Sequence, residues 1–192
     1  MSTRRSSTGD APLLAWGEAM RRARRHRSAR RLIAGSAIGS IVLGLTIAWP
    51  PAPRLVWNAS ASAPIGLYRV YPDAPARAGD MVVARLAARY RALAAKRHYL
   101  PANVPLVKRV AAVAGSQVCA EGRTILVDGR PVAVRQWSDH RGRSLPWWEG
   151  CVPLRGRELF LLTDAPDSFD GRYVGITEDS EVVGRAVLLW RR

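Results

Sequence analysis

Hydrophobic and polar positions divide this chain into two unlike parts. From Leu32 to Trp49 no charged residue occurs, and as a helix such a run spans roughly 27 Å, enough for the hydrocarbon core of a bilayer. Pro50, Pro51 and Pro53 follow at once and end the helix. Beyond them the apolar residues fall into short runs of strand composition: Gly66–Val70, Met81–Ala84, Leu106–Val113, Gln117–Ala120, Thr124–Val127, Pro131–Val134, Leu159–Leu162 and Val182–Trp190. Asp128-Gly129 separates two of these runs and suits a two-residue hairpin in which both turn positions take positive φ. Arg85–His98 differs, with Leu86, Tyr90 and Leu93 on one face and most of its basic residues elsewhere, which predicts one amphipathic helix. Pro72–Pro75 and Trp137–Pro153 read as loops. The expected architecture is a mainly β domain with one short helix, residues 54–192, preceded by a single transmembrane helix at 32–49.

Charge gives that helix a direction. The chain of 192 residues carries 30 Lys+Arg against 15 Asp+Glu, and residues 1–31 hold nine of the arginines and only two acids. Basic residues ahead of a span stay in the cytoplasm, so residues 1–31 read as a basic cytoplasmic arm. The single-pass anchor would then lie in a bacterial inner membrane, with 54–192 in the periplasm. The prolines stand where a signal-peptide cleavage site would need small residues, which favours a retained anchor. Gly35, Ser36, Gly39, Ser40 and Gly44 form a small-residue stripe open to two readings, packing against another membrane helix or mere tolerance in lipid. Attraction of the arm to an anionic leaflet accounts for its arginines. No recognition motif for nucleic acid accompanies them, so nucleic acid is not the expected partner.

With 48% apolar residues the chain is not a disordered basic protein. Two cysteines and three scattered histidines, His26, His98 and His140, lack metal-ligand spacing, and neither metal nor cofactor is expected. Cys119 and Cys151, an even pair beyond the membrane, are expected to close a disulfide and to tie down the Trp137–Trp148 loop. The tryptophans of that loop either rest on the membrane surface or pack in a small core. Among thirty basic residues only Lys96 and Lys108 are lysines. Lys96 falls on a charged helix face. Lys108 lies inside the apolar run Val104–Val110 and is open to two readings, a strand lysine pointing at solvent or a buried one whose desolvation disfavours the ammonium form and makes the amine available as a base. A hydroxyl nucleophile for such a base is offered by Ser60 or Ser62, in a segment of small residues bent by Pro64 and Gly66 just outside the membrane. His98 and His140 are competing bases, each in polar surroundings that suggest exposure.

Ser62-x-Pro64-x-Gly66-Leu67-Tyr68, Gly79-Asp80-Met81-Val82-Val83, Lys108-Arg109-Val110 with Gly115, and Asp167-Ser168-Phe169-Asp170-Gly171-Arg172-Tyr173-Val174-Gly175 follow one another in the chain. In order and spacing they resemble the motifs of the signal peptidase I family, and within it the TraF-type peptidases of conjugative transfer systems. The resemblance runs from about Asn58 to Val187. It departs from typical signal peptidases in having Ala63-Pro64 rather than methionine after the serine, as the conjugation branch does. Leu162-Thr163-Asp164 also stands where Gly-Asp-Asn usually opens the last motif. The resemblance implies a signal-peptidase-like β-rich fold, Ser62 as nucleophile and Lys108 as general base. It further implies an oxyanion site made by the Ser62 N–H and the Ser60 hydroxyl, with Ser168 orienting the Lys108 amine. Asp170 and Arg172 are expected to pair with each other in support, because a carboxylate directly on Lys108 would oppose its deprotonation. The implied substrate is a membrane-inserted pilin precursor. The alternatives are a general signal peptidase acting on exported preproteins, and a noncatalytic membrane component with a nucleic-acid-binding arm.

Overall fold

The computed structural model describes residues 11–48 and 52–192, so the expectations placed on Trp49, Pro50 and Pro51 lie outside the described residues. The described residues form two compact units, a helical one at 11–48 and a second at 52–192. In the first, a single helix α1 (Ala11–Ala48) runs without a break from the arginine cluster Arg21–Arg31 into the apolar run as far as Ala48. Its segment Ala15–Ala48 is long and apolar enough to cross a membrane. Leu32, Ile33, Ile41, Leu43 and Ile47 are each more than half exposed, a continuous apolar surface of the kind that lipid covers.

The second unit is mainly β. The strands are β1 (Leu55–Asn58), β2 (Gly66–Tyr71), β3 (Met81–Ala84), β4 (Leu106–Ala112), β5 (Gln117–Glu121), β6 (Thr124–Val127), β7 (Arg130–Val134), β8 (Gly150–Pro153), β9 (Phe160–Leu162) and β10 (Val182–Arg191). They form a six-stranded sheet in the order β1-β2-β10-β3-β4-β9 and a four-stranded sheet in the order β7-β6-β5-β8, with every pairing antiparallel. Every strand read from the sequence is present to within a residue or two. Asp128 and Gly129 both take positive φ, 49° and 75°, at the hairpin between β6 and β7.

Helix α2 (Ala88–Lys96) is shorter than the apolar period suggested. Arg85 N–H donates to the Glu181 carbonyl at 2.7 Å, which keeps the chain extended beyond β3. His98 adopts φ 60°, a left-handed residue that ends the helix. A four-residue helical turn, α3 (Gly171–Val174), is capped by the Asp170 side chain, which accepts from the Arg172 N–H.

The core has three parts, one of them formed by Val82, Ala84, Val110, Leu159 and Leu161. Tyr68, Val70, Val83, Val107 and Ala186 pack within the larger sheet, while Val118, Ile125, Leu154 and Phe160 pack the smaller sheet against β9. Gly66 lies where β10 crosses closely: a Cβ there would stand 2.0 Å from the Trp190 carbonyl oxygen, so only glycine allows the turn before β2 to sit against the end of β10. The Cys119 and Cys151 sulfurs, on paired positions of β5 and β8, are bonded at 2.02 Å.

The Trp137–Trp148 loop packs back on the domain. Trp137 stacks on Trp147 with ring centroids 4.0 Å apart, and Trp148 donates to the Gly171 carbonyl. Arg135 is fully buried between the Gly122 carbonyl, Glu149 and the Trp147 ring.

Candidate active site

The residues singled out in the sequence come together from opposite ends of the larger sheet's strand order, Ser62 from the β1–β2 connection and Lys108 and Ser168 from β4 and the segment after β9. The chain leaves β1 at Asn58, turns through 59–65 and enters β2 at Gly66. Asn58 is buried and braces this turn from inside. Its amide donates to the carbonyls of Ser60, Ala63 and Pro64 at 2.9, 3.1 and 3.1 Å, and its oxygen accepts from the Ser60 N–H at 3.2 Å. The Tyr68 hydroxyl donates to the Pro64 carbonyl at 2.8 Å. Sequence reasoning assigned neither residue a role. The signal was an asparagine two residues ahead of the serine pair, yet its three carbonyl partners are known only once the turn has closed.

Ser62 therefore stands on a rigid turn, half-buried, with Ser60 Oγ 3.0 Å from its Oγ. The Ser62 N–H also donates to Ser60 Oγ, at 3.3 Å. Across from them, β4 presents Lys108, only 3% exposed, whose Nζ donates to Ser62 Oγ at 3.3 Å and to Ser168 Oγ at 2.5 Å. Burial lowers the Lys108 pKa to about 8; Asp170 and Asp167 pull it up, and Arg172 pushes it down. At that value about a tenth of the amine is neutral at pH 7, against a few molecules in ten thousand for a free lysine.

Asp170 and Arg172 are buried and paired, Nε to Oδ1 at 2.9 Å. Arg172 also donates to the carbonyls of Thr163 and Pro166, and Thr163 donates to Asp170 through both its N–H and its hydroxyl. The pair thereby closes the 163–170 loop that carries Ser168. Burial pushes the Asp170 carboxyl above its ordinary range, opposed by Arg172 and Lys108. Its charge is spent on Arg172 rather than on a direct bond to the lysine.

A cleft of about 860 Å³ opens over Ser62 and Lys108, with Leu86, Val104, Leu106 and Phe169 giving it an apolar lining. Two loops form its rim, and they are tied together: the Tyr99 hydroxyl donates to Asp139, Arg97 donates to the Ser144 carbonyl at 2.7 Å, and Arg143, itself bonded to Asp139, donates to the Arg97 carbonyl at 3.4 Å. No local pattern announces this latch, whose partners lie some forty residues apart. His98 and His140 are exposed on the same rim, and neither is a hydrogen-bond partner of Ser62. Cys119, Cys151 and Glu121 lie close enough to hold a cation, but both sulfurs are committed to the disulfide.

The model of the signal peptidase, peptidase S26, family matches residues 28–191. The chain belongs to this family. As a member it is a peptidase, and it keeps the family's match across most of its helix and the whole β domain. Two curated relatives, both named conjugal transfer protein TraF, support the same assignment. That of Agrobacterium fabrum is 35% identical over 139 residues, covering 67% of this chain and 78% of its own. That of Agrobacterium tumefaciens strain 15955 is 32% identical over 173 residues, covering 84% and 95%. A crystal structure of a signal peptidase I from Enterococcus faecalis aligns with a TM-score of 0.34 at 15% identity, covering 58% of this chain and 97% of that one.

Proposed function

We propose that this peptidase is a membrane-anchored serine endopeptidase in which Ser62 is the nucleophile and Lys108 the general base. The observation that carries the reading is the buried lysine, within hydrogen-bonding reach of a serine hydroxyl and lowered to a pKa of about 8 by desolvation. The neutral amine takes the Ser62 proton as Oγ attacks the scissile carbonyl carbon. The negative charge that develops on the carbonyl oxygen is met by the Ser62 N–H and the Ser60 hydroxyl, the N–H exchanging its 3.3 Å bond to Ser60 Oγ for the oxyanion. Collapse of the tetrahedral intermediate breaks the C–N bond, and the lysine ammonium passes its proton to the departing amine. An ester on Ser62 remains, to be released by water or by an amine of the substrate itself. Ser168 is the positioning residue for Lys108, and Asp170 with Arg172 holds the loop that carries Ser168.

The relatives are conjugal transfer proteins, and the substrate proposed on that ground is a membrane-inserted pilin precursor, held near the bilayer by the anchor. The basic residues of α1 set the orientation: N-terminus in the cytoplasm, β domain in the periplasm of a bacterial inner membrane. The second reading, removal of signal peptides from exported preproteins, is favoured by the family description alone. Coexpression of the enzyme with a candidate pilin precursor, followed by intact-mass analysis, tests both the substrate and the release step. A shortened linear product means release by water, a product lighter by one further water means release by the substrate's own amine, and unchanged precursor refutes the substrate assignment. Ser62→Ala should leave the precursor intact in either case.

A further inference from the structure

The turn that carries Ser62 has a second side. Opposite the apolar cleft, a recess of about 390 Å³ is lined by the turn itself and by Arg109, Arg191, Arg192 and Asp164. β4 builds both sides at once, because consecutive strand residues face opposite ways: Lys108 is buried toward Ser62 and Ser168, while Arg109 is exposed. β10 delivers the other two cations. Arg191 is paired with Gly66, and the Arg192 N–H donates to the Ile65 carbonyl at 3.0 Å, which pins both beside the turn.

The recess is rich in uncommitted positive charge. Arg109 meets Asp164 at 3.8 Å with both side chains well exposed, 51% and 93%, a loose pair of little strength. Arg191 and Arg192 take part in no ion pair among the described residues. Three arginines, each carrying a rigid fork of donors matched to a carboxylate, therefore line the recess with Asp164 as its one acidic residue. Ser62 lines both the recess and the cleft, so a peptide with its scissile carbonyl on Ser62 Oγ reaches the recess within two or three residues, at roughly 3.3 Å per extended residue.

We propose that this recess is a subsite for a carboxylate of the peptide substrate, placed within a few residues of the scissile bond and complementing the apolar requirement of the cleft. The proposal deepens the peptidase reading and rests on it for the register of the peptide. The carboxylate has two possible sources, an acidic side chain or a free C-terminus close behind the cleaved bond.

The test uses full-length Ser62→Ala protein in detergent micelles and fluorescein-labelled decapeptides of leucine, alanine and glutamine. One Gln→Glu replacement is walked along the peptide, and each peptide is made as C-terminal acid and amide. Fluorescence anisotropy should find one register at which the carboxylate form binds about tenfold or more tightly than its neutral partner. That preference should shrink with added salt and disappear on adding Arg109→Gln and Arg191→Gln. It should survive Arg130→Gln on β7, which controls for the overall positive charge. Preference at an internal position identifies a side chain, and preference confined to the acid over the amide identifies a free C-terminus. Equal binding of all peptides, binding of none, a preference that persists in the double variant, or one equally lost in Arg130→Gln would overturn the subsite. Cleavage of the same peptides by the unsubstituted enzyme reads the peptidase proposal separately: discrimination without cleavage would refute the peptidase reading and leave the subsite standing.

Discussion

A base prepared by burial should cost the fold stability, and Lys108 allows that cost to be measured. Its pKa falls from 10.5 to about 8 in the folded protein, a change equivalent to about 3 kcal/mol. Because the folded value lies below the unfolded one, the unfolded chain binds the extra proton between these limits, and stability rises with pH across that window. Below pH 8 the full penalty is present; above 10.5 it is gone. Lys108→Met keeps an unbranched side chain of similar length and removes the charge, while leaving Ser168 Oγ without its lysine partner, a loss of about 1 kcal/mol. The net effect at pH 7 is a gain of about 2 kcal/mol, or about 4–8 °C in Tm for a chain of this size, in a protein that no longer cleaves. Thermal unfolding of both proteins, followed side by side from pH 6 to 10.5 in the same detergent, isolates the lysine together with Asp170, whose carboxyl feels its charge. The gain should shrink to nothing or reverse near pH 10.5. A variant no more stable than the parent at pH 7, or a difference that does not change with pH, would show that the lysine is not desolvated as described.

Three other expectations follow from the same geometry. Asp170→Asn leaves Arg172 buried without its counter-charge and should destabilise the β domain by about 3–5 kcal/mol; urea unfolding with a midpoint unchanged from the parent would contradict the support role. Cys119→Ser and Cys151→Ser should each abolish a non-reducing gel shift and lower stability by about 3–4 kcal/mol on chain-entropy grounds, with part of the activity surviving; complete loss of cleavage in protein that still folds would point to a thiol in the chemistry. A periplasmic reporter fused after Arg192 should be active in intact cells, and activity only of a cytoplasmic reporter would reverse the orientation read from the basic residues.

The elements legible in the sequence were those whose pattern is local. Met81–Ala84 and Thr124–Val127 form short apolar runs, and Asp128-Gly129 fixes its hairpin by backbone preference alone. β1 and β8 were not legible. Leu55–Asn58 follows a proline cluster and reads as linker, and Gly150–Pro153 is strand only because β5 pairs with it. The same division holds at the site. Ser62 and Lys108 stand out by residue type and by motif, whereas Asn58 matters through carbonyls that reach it only when the turn folds back. The burial of Arg135 was equally hidden, since its partners Gly122, Trp147 and Glu149 come from two separate segments. The arginine recess is furthest from sequence reasoning: Arg191 reaches the Ser62 turn because β10 inserts between β2 and β3, a long-range pairing that no local pattern announces.

The central claim, that a neutral Lys108 activates Ser62, is tested most directly by the pH dependence of kcat/KM for a cleaved peptide, measured for the parent and for Lys108→Arg. In the parent the rate should rise about tenfold per pH unit below the lysine pKa and level off above about 8. Lys108→Arg should be inactive throughout, since guanidinium keeps its proton at every accessible pH. A flat profile, activity that is lost in His98→Gln or His140→Gln, or an active Lys108→Arg enzyme would contradict the account.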